Sequence, residues 1–508
     1  VITEYNKPGT IIQKLEKGNI YYLQFAVVKN TSDRYTEEFN FDIEYMDDED
    51  KNENYTRYDG IIPTLNKEAD TVQILKDIIL SQSLNIENTR SMIFDLNGHT
   101  ITTISNDYVI NNSGDLTITD SKYSSGVIGN IDTSSTTDDT ATGTIKSTSN
   151  SVIYNNVDSS LNIRKGNIVL KKSGNFNAVT NLGNLILGTN SNIDSAGIAI
   201  YNDVNSQATI NSESINANQY AIYNNTDRKL TLNVGNVISK DYFVYNSGGS
   251  ELDITAKSIN SANGIYNSGL ENASININTS TNTNDFLYNV GLGNINISAK
   301  TISGSIQNNG KSDIETKITS RAYKITNNDT GTININSSNA TISEGIYNNG
   351  SGNIIVNAKT INEGIHNNGN GNVTGIIGKI ESKNIGIENN DSGLVDATID
   401  TLTMNYSSTG TSSEIYGIKN GGVGTINLTI PNVSINSGGY AIYNQSKGNI
   451  YFNGNNISLS GEGGIGIYNK SEGLIEVNNT KILASTDSKK KSKAAIYSES
   501  SGTINFYN

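Results

Sequence analysis

The sequence has no cysteine and no tryptophan, and only two histidines, three prolines and three methionines in 508 residues. Without cysteine there are no disulfides and no thiol chemistry, a condition that is compatible with export and does not establish it. Two histidines, His99 and His366, make neither a His-rich metal site nor a nucleophile-His arrangement. No apolar run approaches the roughly 18 residues of a membrane span. Val1 to Gly9 lack the basic and then apolar pattern of a secretion leader, which is also the start expected if a leader had been removed earlier. Positive charge is scarce too. Lys plus Arg is 36 against 50 Asp plus Glu, a net charge of −14, which argues against nucleic acid and anionic membranes as partners.

Asparagine is what the chain has in excess, about 80 residues, far above globular usage. The 48 glycines follow no triplet period, so collagen is excluded, and the composition excludes a coiled coil. With 35 % hydrophobic residues and a mean hydropathy of −0.40, the chain can bury only a thin core. A length far beyond the roughly 100–200 residues of one domain therefore points to an elongated repeat.

Residues 1–60 hold 13 acids and 7 bases, and the other 448 hold 37 and 29, which places a boundary near Gly60. In the first part, Tyr21 to Val28 and Phe39 to Tyr45 read as strands, separated by Asn30-Thr31-Ser32-Asp33. A small β-sandwich-like module over 1–60 is expected, followed by a repeat domain over 61–508. Asp47, Asp48, Glu49, Asp50 and Glu53 could hold calcium, but they lack the spaced ligands and glycine of a formed loop; a solvated linker fits better.

From residue 100 onward a phrase recurs: a small residue, then Ile-Tyr-Asn. It stands at Ala199–Asn202, Ala221–Asn224, Gly264–Asn267, Gly345–Asn348, Ala441–Asn444 and Gly466–Asn469, with degenerate copies between. Taking the Ile position as a marker, from Val109 and Ile153 to Ile496, gives seventeen aliphatic residues, mostly 19 to 26 apart. The 44-residue step from Val109 to Ile153 reads as two turns with an insertion. Between markers lie one or two further strand-like pieces, such as Ala208-Thr209-Ile210 and Ser214-Ile215, bounded by Asn, Ser or Gly. No helix fits. Three short strands per turn of about 22 residues predict an all-β fold, a right-handed parallel β-helix. Some nineteen coils at roughly 4.8 Å per coil would make a rod about 90 Å long.

Two residues after the marker, Asn stands in sixteen of seventeen repeats, Asn202, Asn224, Asn246, Asn267, Asn289, Asn348, Asn444 and Asn469 among them, and Ser498 is the exception. The first would be Asn111. An amide both donates and accepts, so identical residues stacked coil on coil form an inward structural ladder. The position between marker and ladder is expected to face outward, because strand side chains alternate. Tyr201, Tyr223, Tyr245, Tyr266 and Tyr288 occupy it in consecutive turns, with Gln307, Thr326, His366, Glu388 and Lys419 substituting further on. These polar substitutions imply exposure. Two readings fit the tyrosines: a same-face stack that stabilises the sheet, or a flat strip for stacking sugar rings or docking a protein.

Thr71 to Ile78, then Ser83-Leu84-Asn85-Ile86, Phe94-Asp95-Leu96-Asn97-Gly98-His99-Thr100-Ile101 and Asn112 to Asp120 resemble the opening coils of bacterial secreted and cell-surface β-helix proteins of the pectin-lyase-like superfamily. The close match covers about residues 71–120, and later coils share only the period. The resemblance implies an exported, often multidomain surface protein with an adhesive or structural role. The superfamily's lyases pair clustered carboxylates and calcium with an arginine base, and its hydrolases use close Asp pairs in fixed motifs. Neither pattern is present. The six arginines flank no acidic cluster on a repeated strand, and Asp138-Asp139 sits in a Ser/Thr-rich turn.

A non-enzymatic extracellular structural or adhesive rod at a bacterial surface is therefore expected, with no cofactor and no metal. Its partners would be other surface subunits, copies of itself, or glycans, without nucleic acid or membrane insertion. A polysaccharide lyase or glycoside hydrolase of the pectin-lyase-like or phage tailspike type is the alternative. The last strand-like stretch, Thr503 to Asn508, raises the expectation of a longer protein or of a neighbour covering the final coil. The basic run Lys489 to Lys493 reads as a solvated loop, with an acidic cell-wall polymer as the alternative ligand.

Overall fold

A computed structural model describes residues 55–58, 71–74, 77–103, 105–120, 143–405, 415–436, 438–485, 487, 491–499 and 501–507. By its contacts the chain divides into Val1–Asn40 and Phe41–Asn508. The β-module expected over 1–60 and the acidic cluster 47–53 lie outside the described residues, apart from one strand, Tyr55–Tyr58. That strand pairs in parallel with Thr71–Ile74, so the stacking already includes residues before Gly60.

The described residues form 41 strands, and no helix. Strands pair in parallel with their equivalents in the adjacent turns, as in Ile200 with Ile222 and Ile222 with Val244. The fold is an all-β parallel solenoid of about 17 turns, with about 22 residues per turn. One turn has three segments: Gln207–Ile210, Ser214–Ala217 and Ile222–Asn224. In the next turn the same three fuse into one bent strand, Leu230–Asn246.

Register explains the core. Ala208, Leu230, Leu252, Ala273, Ile295, Ile314 and Ile333 sit directly over one another, and all are buried. Because a strand alternates its side chains, one residue of slippage would turn such a whole column to solvent. Each turn's aliphatics therefore fix the next turn's register. Phe94, Phe243, Phe286 and Phe452 are the largest of the fully buried side chains.

Two expectations need correction. The step from Val109 to Ile153 is one turn rather than two: Ile110 pairs directly with Ile153 and Leu116 with Leu161, while residues 121–142 fall between two segments of that turn. The first marker is also one residue late, at Ile110, and the first ladder residue is Asn112. Asn111 instead pairs with the outward Tyr154. Val109 and Ile110 are both fully buried, because the chain turns a corner between them and alternation lapses there.

Candidate functional site

The third segment of each turn carries two parallel columns of functional interest, one inward and one outward. Inward stands the asparagine ladder. Asn202 Nδ2 donates to Asn224 Oδ1 at 2.8 Å, Asn224 to Asn246 at 2.8 Å, Asn246 to Asn267 at 2.8 Å, Asn267 to Asn289 at 2.9 Å and Asn348 to Asn367 at 3.0 Å. All are buried. From Asn308 onward, most amides spend a second proton on the carbonyl four residues ahead, as in Asn367 to Gly371 at 2.9 Å and Asn469 to Gly473 at 2.7 Å. That bond fixes the bend into the next coil.

The chain of amides is interrupted near its far end. Asn420 and Asn444 keep their places in register, and Asn444 donates to Asn469 at 3.3 Å. The Oδ1 atoms of Asn420 and Asn444, however, accept no hydrogen bond. The gap coincides with the 31-residue step between the paired Ile387 and Ile418.

The outward column begins as stacked tyrosines. Ring centroids are 5.1 Å apart for Tyr201 and Tyr223, 5.2 Å for Tyr223 and Tyr245, 4.5 Å for Tyr245 and Tyr266, and 6.0 Å for Tyr266 and Tyr288. Interplanar angles stay between 9° and 25°. Near-parallel rings at this spacing cover one another's faces, so the column presents edges and hydroxyls to solvent. Thr180 and Gln307 stand next in register beyond Tyr201 and Tyr288. Tyr220 and Tyr242 form a second row, stacked at 5.9 Å, with edge contacts to Tyr223 and Tyr245. Burial, together with the neighbouring Asp241 carboxylate, pushes the Tyr220 phenol up.

Further along, the polar residues of the same column are more enclosed than expected. Thr326 and Glu388 are buried. Tyr347 stacks on His366 at 4.6 Å, His366 Nδ1 lies 3.2 Å from Glu388 Oε2, and Lys419 Nζ donates to Glu388 Oε1 at 2.7 Å. Lys324 lies over the Tyr347 ring at 4.1 Å. In effect a charged stack replaces the aromatic one, and each member covers the next. Burial alone would raise the Glu388 carboxyl, but hydrogen bonds from His366 and Lys419 outweigh it and hold the group at about 2. Because that value lies below the ordinary 4.5, the stabilisation is complete above the ordinary value and is lost as pH falls towards the folded one. Wild type should therefore melt above Glu388→Gln near neutral pH, and the difference should close as the medium approaches pH of about 2. A gap that persisted in acid would assign the effect to packing instead.

Beyond this stack the tyrosines resume, at Tyr416, Tyr440, Tyr443 and Tyr468. Three of these are buried at 4–7 % exposure, forming a small apolar cluster of their own outside the main core.

Sequence reading missed three features. Tyr220 and Tyr242 were not connected to the stripe. A second, solvent-facing asparagine row follows the ladder: Asn328 donates to Asn309 at 2.6 Å, Asn349 to Asn328 at 2.7 Å and Asn368 to Asn349 at 3.0 Å. The Asn-Asn doublets at 308–309, 327–328, 348–349 and 367–368 were its available signal. A groove of about 840 Å³ also follows the bend between the first two segments, from Asn190 to Thr319. Asn233, Thr255, Asn276 and Ser298 form one in-register row in it, with Lys257, Asn278 and Lys300 two residues on; its one carboxylate is Glu213.

Among the described residues no group of three or more His, Cys, Asp or Glu is placed to hold a metal, and no helix is long and apolar enough to cross a membrane. Comparison of the chain with family models, curated proteins and solved structures finds no match.

Proposed function

We propose that this chain is a non-enzymatic structural or adhesive rod, exported and displayed at a bacterial surface. The observation that carries the reading is the repetition itself. From Asn112 to Asn469 the same inward amide position recurs turn after turn, and a feature present in every turn serves the length of the molecule rather than one place on it. Resemblance of residues 71–120 to bacterial secreted and cell-surface β-helix proteins supports the location. Copies of the chain, other surface subunits and glycans are the partners that fit an extended polar surface.

The groove from Asn190 to Thr319 favours a second reading, in which the solenoid acts on a polysaccharide. Hydrolysis of a glycosidic bond ordinarily needs two carboxyl groups flanking it, and this groove holds only Glu213. Its amides, hydroxyls and lysines are suited to holding a chain rather than cutting one.

Electron microscopy of the purified chain, combined with binding and depolymerisation assays on a polysaccharide array, tests both readings. Rods or filaments without cleavage are expected. Release of shortened glycan would overturn the structural reading in favour of an enzyme.

A further inference from the structure

The tyrosine column has a chemistry that neither a scaffold nor a docking strip requires. The chain holds 27 tyrosines but no tryptophan and no cysteine, and only three methionines. Of these methionines, Met92 and Met404 are fully buried in the core. Among the described residues the phenols are therefore the accessible electron-rich side chains. Between Tyr201 and Tyr288 five of them are half-buried and stacked in near-parallel contact, with hydroxyl edges toward solvent. Losing an electron from a phenol requires losing its proton as well. Tyr220, which touches both Tyr223 and Tyr245, has a neighbouring carboxylate, Asp241, able to take that proton.

We infer that this column is a site of one-electron oxidation, at which neighbouring turns become joined by a carbon–carbon bond between stacked tyrosines. The oxidant would be a haem peroxidase with hydrogen peroxide. Each of two phenols gives up one electron and its hydroxyl proton, and the two radicals join at the ring carbons beside the oxygens. The hydrogens on those carbons then move to the oxygens and restore both phenols. In total the pair loses two hydrogens, and one hydrogen peroxide is reduced to two waters. Contact along the stack lets a radical made at one ring pass to the next, so a second oxidation finds its partner already adjacent. Tyr245 and Tyr266, the closest and most parallel pair at 4.5 Å and 9°, form the favoured link. The product staples covalently two turns of the solenoid that hydrogen bonds and core packing otherwise hold.

The later column is a built-in comparison. Tyr443 and Tyr468 are 5.1 Å apart, yet they are buried, and burial with Glu499 raises the Tyr468 phenol strongly. Electron and proton leave it less readily.

The test treats the intact chain with a haem peroxidase and hydrogen peroxide, then reads dityrosine fluorescence and maps linked peptides by mass spectrometry. Expected are monomeric chains carrying a Tyr245–Tyr266 link with a mass loss of two hydrogens, formed ahead of any Tyr443–Tyr468 link. Tyr266→Phe should abolish that link while keeping the stack, and the same treatment in urea should lose the selectivity. Links spread evenly over exposed tyrosines such as Tyr323 and Tyr507, or linked dimers alone, would overturn the inference. So would an unchanged yield in Tyr266→Phe. Should that variant fail to fold, the wild-type map still decides.

Discussion

Asn267→Ala is expected to cost roughly 2–5 kcal/mol, because it leaves buried polar groups without partners, at about 1–3 kcal/mol for each. The amide accepts from Asn246 Nδ2 at 2.8 Å and from the Gly269 backbone N–H at 3.2 Å, and it donates to Asn289 Oδ1 at 2.9 Å. Alanine removes all three bonds. Asn289 Oδ1 keeps a second donor in the Gly291 N–H at 3.2 Å, so the larger part of the loss falls on Asn246 and Gly269. Bulk solvent does not reach these groups, since Asn246 and Asn289 are fully buried.

The effect should be local. A solenoid is stabilised turn by turn through nearest neighbours, so a single midpoint from a melt would average the damage away. Amide hydrogen exchange resolves it: protection should fall across the turns from Asn246 to Asn289 and stay unchanged near Ile450 and Phe452. Asn420→Ala provides the contrast. Its Oδ1 accepts nothing, and its Nδ2 donates only to carbonyls, of Gly424 at 3.0 Å and Asn449 at 3.3 Å. A loss nearer 1 kcal/mol is expected there. Equal losses at the two sites would mean that the ladder bonds are not what holds the turns together.

These ladder residues were visible in the sequence, because a period near 22 with an invariant amide leaves few alternatives. What was misread lies at one place, the corner before the third segment. Ala221 and Ile222 are both fully buried, although strict alternation would turn one of them out. That lapse carries Tyr220, three residues before Tyr223, onto the same outer face as Tyr223, where period-two counting would bury it. The same corner accounts for the first marker. In most turns a small residue occupies it, such as Ala178, Ala199 or Ala441, but in the first it is Val109, which passes for the aliphatic marker beside Ile110. The charged stack was hidden for another reason. Burial of Glu388 depends on His366 and Lys419 arriving from the turns on either side, 22 and 31 residues away, and each alone reads as a surface residue.

Glycine is where the backbone itself sets the limit, and Gly371→Ala is expected to cost about 3 kcal/mol, as overpacking does when the neighbours cannot move aside. Gly331, Gly352, Gly371, Gly393 and Gly424 stand in successive turns, four residues after a ladder asparagine. A methyl group on Gly371 would run into the carbonyl oxygen of Gly352 and come within 2.8 Å of Asn348 Nδ2. The obstacle is backbone of the adjacent turn, held in place by the bond from the Gly352 N–H to the Asp329 carbonyl at 2.9 Å. Moving Gly371 away instead would strain the bond that its carbonyl accepts from Asn367 at 2.9 Å, so either relaxation strains a hydrogen bond. Gly249→Ala is the control: nothing lies within 4 Å of its added methyl, and the lost freedom of the unfolded chain should stabilise by about 0.4–1 kcal/mol. Chemical denaturation with exchange protection read around Asn348 and Asn367 should give opposite signs for the two variants. If both were neutral, the close stacking of these bends would contribute nothing to the fold, and the recurring glycine would need a cause other than packing.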